Sequence, residues 1–260
     1  MQHAIQQHSK SILQQLQSDG FSQLSNLCSS TLTAQLLSVS SKIASDVRQR
    51  LGKRPIGIGS RSGYREIVQR SPGRWDVPIT PEQFAIDHKQ MPWWPLITAV
   101  LGQSAEHAFS GVVSSELGSK EQCWHIDSPH EAAEHLSAHA INIFIALTHI
   151  PLLMGPTELA RGSHQRTNHL ANQTLAVDQL LYQHADTSPG MLVTAKEQTT
   201  PETRSSAMSE GSCLIFDDRI MHRGLANQAH QTRHIAYFSY KRQGYLPYTH
   251  FESTRSLFES

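Results

Sequence analysis

The chain has 260 residues, and its 22 lysines and arginines are balanced by 22 aspartates and glutamates. Zero net charge excludes the strongly basic face of a nucleic-acid binder, and no run approaches the roughly 20 apolar residues of a membrane span. Three scattered cysteines, Cys28, Cys123 and Cys213, form no CxxC pair, which excludes a zinc ribbon or redox motif and fits a reduced, cytoplasmic setting.

The N-terminus has no basic flank followed by a long apolar run, so no signal peptide is expected. Ile5, Ile12, Leu13 and Leu16 recur at helical spacing over residues 3–19 and predict an amphipathic helix ended near Gly20. A second helix is predicted over 31–50, with Leu32, Leu36, Leu37, Ile43 and Val47 on one side. Residues 52–64, rich in Gly and Arg, read as a loop that lies over a site or stays mobile. "EIVQRSPGRWDV" (66–77) reads as a short strand, a Pro-Gly turn and an extended segment. "PWWPLITAVLG" (92–102) predicts a helix begun by Pro and stopped by Gly102, with Trp93 and Trp94 as core anchors.

From there the pattern changes. "HAFSGVVSSE", "QCWHID", "AINIFIALTHI", "MLVTA", "GSCLIFDD" and "RHIAYFSYKR" are short runs rich in β-branched and aromatic residues, separated by Pro, Gly, Asn and Ser. Such spacing predicts a sandwich or barrel rather than alternating β-α units. Residues 163–190 are polar with a helical patch at Leu175, Val177, Leu180 and Leu181, and 196–210 have the composition of an exposed or mobile loop. With no repeat and no linker, residues 1–260 read as one domain, mainly β with flanking helices. A helical layer reaches to about residue 104, and the β core spans about 105–245.

In "QCWHID", His125 and Asp127 stand at i and i+2, and on a strand they project to one side. Two histidines and one carboxylate on one face of a metal, with the other face open, is the pattern of non-haem Fe(II) oxygenases. In a chain with 16 histidines the pair is also compatible with a capped turn, in which Asp127 bonds the backbone of Ser128 or His130. A third ligand comes from further along. His222 follows a strand, and Arg233 opens the next strand eleven residues later. Arginine suits a buried carboxylate because its planar fork makes two parallel bonds. A site with this Arg beside a metal takes a small dicarboxylic acid, one end on the metal and the other on the Arg.

"QCWHID", "GPTELARGSH" and "FDDRIMHRGLAN", followed by Arg233, resemble the phytanoyl-CoA dioxygenase-like family of Fe(II)- and 2-oxoglutarate-dependent oxygenases. The likeness begins at "LQQLQSDGFSQL" and runs from about residue 12 to 242. It implies a double-stranded β-helix (jelly-roll, cupin-like) core with helices outside, and Fe(II), 2-oxoglutarate and O2 as cofactor and co-substrates. His125, Asp127 and His222 match the iron ligands, and Arg233 matches the arginine on the distal carboxylate of 2-oxoglutarate. Gln122, Thr157 and Asn142 match co-substrate contacts. Related halogenases carry a small residue at the aspartate position, so Asp127 favours hydroxylation, desaturation or another oxidation. The implied partner is a small organic substrate, in specialised metabolism by analogy, with neither nucleic acid nor membrane; oligomeric state has no signature. A non-oxidative cupin isomerase and a non-catalytic ligand-binding relative stay open as alternatives.

Arg70, Arg74, His130 and Arg223 are candidate substrate contacts. Against this, Arg70 and Arg74 fit a packed turn with an Arg–Asp76 pair, and Arg223 fits a pair with Asp217 or Asp218. His130, His135 and His139 fit solvated loop positions. Cys123 is expected to be small and buried, His164 structural, and His234 turned away from Arg233.

Overall fold

A computed structural model describes residues 2–130, 135–165, 202–246 and 253–259, with side chains from residue 10 onward. Helix α1 (Gln2–Asp19) buries Ile12 and Leu16 and stops where the Gly20 N–H returns to the Leu16 carbonyl. Helix α2 (Ser30–Leu51) starts at Ser29, whose hydroxyl accepts from the Leu32 N–H at 3.2 Å, and ends at Gly52. Between them Phe21–Leu24 forms a strand, β1, that the hydrophobic pattern does not announce. There follow β2 (Val68–Ser71), β3 (Arg74–Pro78), helix α3 (Trp94–Leu101), β4 (Glu106–Ser115) and β5 (Ala140–Ala146). The remaining strands are β6 (Thr157–Ala160), β7 (Thr203–Ser205), β8 (Cys213–Asp217), β9 (His222–Gly224) and β10 (Arg233–Lys241).

The strands pair antiparallel in two sheets, one of seven in the order β1-β8-β5-β10-β4-β3-β2 and one of three in the order β7-β6-β9. Together they form the jelly roll, with the three helices on the outer face of the large sheet. Strand alternation separates the two environments. Ala236, Phe238 and Tyr240 of β10 join Leu36, Val47, Leu96 and Ile97 of the helices in one apolar layer. Trp93, fully buried, donates its indole N–H to the Tyr240 hydroxyl at 2.8 Å; Trp94 packs beside it but is only partly buried. The odd-numbered residues Arg233, Ile235, Tyr237, Ser239 and Lys241 instead line a cavity between the sheets, and Tyr240 also reaches it where the register with β4 shifts.

Several expectations are corrected. "QCWHID" is not a strand; it meets β9 through one isolated bridge between His125 and His222. The 52–64 loop packs against β2 and the C-terminal segment, and none of it lines the cavity. Within 202–210 the chain, though largely exposed, adds β7 to the edge of β6. The helical patch at 175–181 and "MLVTA" lie outside the described residues. Among the described residues no helix is long and apolar enough to cross a membrane.

Gly155 opens the "GPT" segment with φ 64°, a left-handed backbone in which a Cβ would run into the carbonyl oxygens of Leu225 and Ala226. Its own carbonyl accepts from Arg233 Nη1, so this turn also seats the arginine. Gly155→Ala is expected to lower stability by about 2–4 kcal/mol. The readout is a reduced urea midpoint at unchanged slope; an unmoved midpoint would show that the turn has room.

Candidate metal centre and cavity

His125 and His222 exchange both backbone hydrogen bonds, at 3.0 and 2.9 Å, and so stand directly opposite one another. Their rings lie 4.3 Å apart, centre to centre. Asp127 follows two residues after His125, its N–H held at 2.9 Å by the Asp218 carbonyl. Its Oδ1 lies 3.9 Å from His125 Nε2 and 3.7 Å from His222 Nε2. One donor atom from each of the three residues falls within 4.8 Å of the others, the one such group of metal-ligating side chains among the described residues.

The surroundings orient these donors. The Nδ1 atoms of His125 and His222 sit 2.9 and 3.0 Å from the carbonyls of Cys123 and Ile220, to which each donates its ring proton. That tautomer leaves both Nε2 lone pairs facing Asp127. Burial, and then the neighbouring His222, pushes His125 down to about 4, so it is neutral and able to ligate at neutral pH. Asn142 Nδ2 donates to Asp127 Oδ2 at 2.7 Å, and Asn142 Oδ1 accepts from the Ser239 hydroxyl. This contact, at a residue that sequence reasoning assigned to the co-substrate, leaves Asp127 Oδ1 to share a metal with the two Nε2 atoms. The capped-turn alternative for Asp127 is not what the side chain does. Two imidazoles and a carboxylate, preset and facing a cavity, fit Fe(II).

Arg233 lies at the far end of β10's cavity face. It is 2% exposed, with Nη1 on the Gly155 carbonyl and Nη2 on Ser115 Oγ at 3.0 Å. Its Nε has no partner, and no carboxylate of the described residues pairs with it. Burial pushes the guanidinium down to about 10. A buried cation without a counter-ion is costly, so this end of the cavity suits an anion. Thr157 and Gln122 line the same cavity. Gln122 Oε1 accepts from the Gly224 N–H at 3.0 Å and from Arg74 Nη1 at 2.8 Å.

The other candidates separate. Arg70 and Asp76 pair at 2.8 Å and both line the cavity, and the Tyr237 hydroxyl donates to Asp76 at 2.9 Å. The expected Arg–Asp76 pair is therefore Arg70's, because a bulge at β2 turns Arg70 inward. Arg223 pairs with Glu158 at 2.8 Å and stacks over Trp124, not with Asp217 or Asp218, and does not line the cavity. Asp217 is held by Arg219, while Asp218 meets Ser128 and His139.

His130 is buried rather than solvated, outside the cavity wall, and burial with the Arg219 charge pushes it down to about 3. His139, also expected in solvent, is fully buried, bonded to Ser128 Oγ at 2.9 Å and stacked on Tyr245. His135 is exposed, as expected. His164 bonds the Gln17 carbonyl and His234 bonds Ser114, both away from the triad as expected. Cys123 is only partly buried. Tyr237 and Ser239 were missed, and Asp76 was foreseen only as an arginine's partner, not as part of the cavity wall. Tyr237 and Ser239 follow Arg233 at steps of four and six, so the strand period was a usable signal.

The family model for phytanoyl-CoA dioxygenase (PhyH) matches residues 16–235. No curated protein matches in sequence. Among solved structures, AviO1 from Streptomyces viridochromogenes Tue57 is 16% identical, with TM-score 0.60 over 92% of this chain and 97% of its own. The epimerase SnoN in complex with Fe3+, alpha ketoglutarate and nogalamycin RO is 16% identical, with TM-score 0.64 over 91% and 84%. HygX from Streptomyces hygroscopicus, with nickel and 2-oxoglutarate bound, is 13% identical, with TM-score 0.59 over 92% and 89%.

Two outcomes are expected. Asn142→Leu should weaken divalent metal binding about 10–100-fold, measured by titration, because Asp127 loses its orienting donor. The metal-free protein should lose thermal stability as pH falls from 7 to 5. His125 and His107, both lowered by burial from the ordinary 6.5 to about 4, stay neutral when folded while the unfolded chain takes up protons. A flat profile would show that these rings are not buried.

Proposed function

Because the chain belongs to the phytanoyl-CoA dioxygenase family, we propose that it is a non-haem Fe(II)- and 2-oxoglutarate-dependent oxygenase acting on a small organic molecule. The observation that carries the reading is the pairing of the His125–Asp127–His222 triad with Arg233 on one cavity. One end of that cavity suits a divalent metal, and the other presents a buried guanidinium with no carboxylate partner among the described residues. A dicarboxylate reaching from one to the other neutralises Arg233 and chelates the metal. That Cys28, Cys123 and Cys213 form no disulfide supports a reducing, cytoplasmic location.

Bound iron with 2-oxoglutarate and O2 supplies an oxidant for a substrate C–H bond, with 2-oxoglutarate leaving as succinate and CO2. The protein's part is placement. His125 and His222 offer Nε2, with the tautomer set by the Cys123 and Ile220 carbonyls. Asp127, partly exposed and oriented by Asn142, completes the ligand face. Arg233 and Thr157 hold the distal carboxylate. Phe109, Phe144 and Ile235 give the cavity apolar walls that exclude water, and Arg70, Asp76 and Tyr237 add one polar patch for the substrate. The reaction is hydroxylation, desaturation or a related oxidation. Specialised metabolism is supported by neighbours such as SnoN, described in complex with nogalamycin RO.

Incubation with Fe(II), ascorbate and 2-oxoglutarate under air should give succinate even without substrate, through uncoupled turnover. Asp127→Ala should reduce it at least 100-fold, on the order expected for a lost metal ligand. Near-parental succinate from that variant would sink the triad assignment.

A further inference from the structure

Register places a second arginine beside the first. Ser115 of β4 pairs with Arg233 of β10 on one side and with Arg74 of β3 on the other, so the three lie in one cross-strand row. Residues directly opposite share a face of the sheet, and Arg233 lines the cavity from that row. Arg74 is 0% exposed. Its Nη2 donates to the Leu225 carbonyl at 2.6 Å, its Nη1 to Gln122 Oε1, and its Nε has no partner. Like Arg233, it pairs with no carboxylate of the described residues. Burial lowers its affinity for the proton, the Arg233 charge lowers it further, and Glu121 opposes only as the smallest influence. Two buried guanidiniums therefore stand in one row, Arg233 in the cavity wall and Arg74 outside it behind Gln122, and the row as a whole favours more than a monoanion.

The same row decides which way an amide points. Gln122 Oε1 takes two donors, Arg74 Nη1 and the Gly224 N–H. An amide whose oxygen is held twice has its NH2 on the other side. That NH2 finds no acceptor among the described residues, and Gln122 lines the cavity. Gly224 permits the arrangement, because a Cβ there would run into the Arg74 guanidinium and crowd Gln122 Oε1.

We propose that Arg74 is a positioning and specificity residue: it holds Gln122 as a hydrogen-bond donor to the cavity and, with Arg233, makes the site selective for a dianionic 2-oxo acid. The inference rests on reading the cavity as a 2-oxoglutarate site. Without Arg74 the Gln122 oxygen keeps only the Gly224 N–H, so the amide is held less firmly as a donor to the cavity, and one of the two cations is gone.

The test is calorimetry with Mn(II) in place of iron, titrating 2-oxoglutarate and its monoanionic counterpart 2-oxopentanoate. The parent protein should bind 2-oxoglutarate more tightly; no binding at all would defeat the oxygenase reading itself. Arg74→Met should weaken 2-oxoglutarate about 10–100-fold and narrow the preference over 2-oxopentanoate. In a Gln122→Leu background the same substitution should cost much less, because part of its effect runs through Gln122. Arg74→Lys should restore the dicarboxylate preference in part. Should Arg74→Met fail to fold, Arg74→Gln replaces it, keeping a donor for Gln122 but no charge, and should still lose the preference. Parental 2-oxoglutarate binding that survives Arg74 substitution within twofold overturns the inference and leaves the oxygenase reading intact.

Discussion

The two-residue period of β10 is the constraint on which the molecule turns. One face of that strand gives Ala236, Phe238 and Tyr240 to the apolar layer under the helices. The other gives Arg233, Ile235, Tyr237, Ser239 and Lys241 to the cavity. A slip of one residue would exchange the two sets and bury the cavity's charges in the core. Pairing with both β4 and β5 along most of its length fixes the register from both sides. The register then carries across the sheet, which is how Ser115 and Arg74 come to share a row with Arg233.

Charge burial is the second organising fact, and the chain treats it differently at different places. Arg70 and Asp76 cancel one another at the cavity wall, and Arg219 and Asp217 do so outside it. Arg233 and Arg74 are left without carboxylate partners among the described residues. A paired charge contributes architecture; an unpaired one is a standing cost that only a bound anion offsets. The same distinction moves Arg223 out of the site, since Glu158 and the Trp124 ring already satisfy it.

Much of this was legible from the residues. His125, Asp127, His222 and Arg233 stand at spacings that a β architecture brings together, and both long helices show their periods. What stayed hidden depends on tertiary detail. Which arginine pairs with Asp76 is decided by a bulge at β2, and no residue type announces a bulge there. Asn142 reads as any inward polar residue until Asp127 is placed beside it. His130 and His139 lie in a polar stretch that looks solvated; His139 is buried because Ser128 and Tyr245 enclose it. The strand β1 is four residues with little alternation, and it forms because β8 offers an edge.

The bridge between His125 and His222 joins positions roughly a hundred residues apart, and so closes a long loop of the chain. Contacts of that span form late in folding, after the entropy of closing the loop has been met. The candidate triad is complete only when that loop has closed, because His125 and Asp127 come from one side of it and His222 from the other. A metal ion held by these three side chains would pin the two ends of that loop together and so add to the stability of the closed barrel.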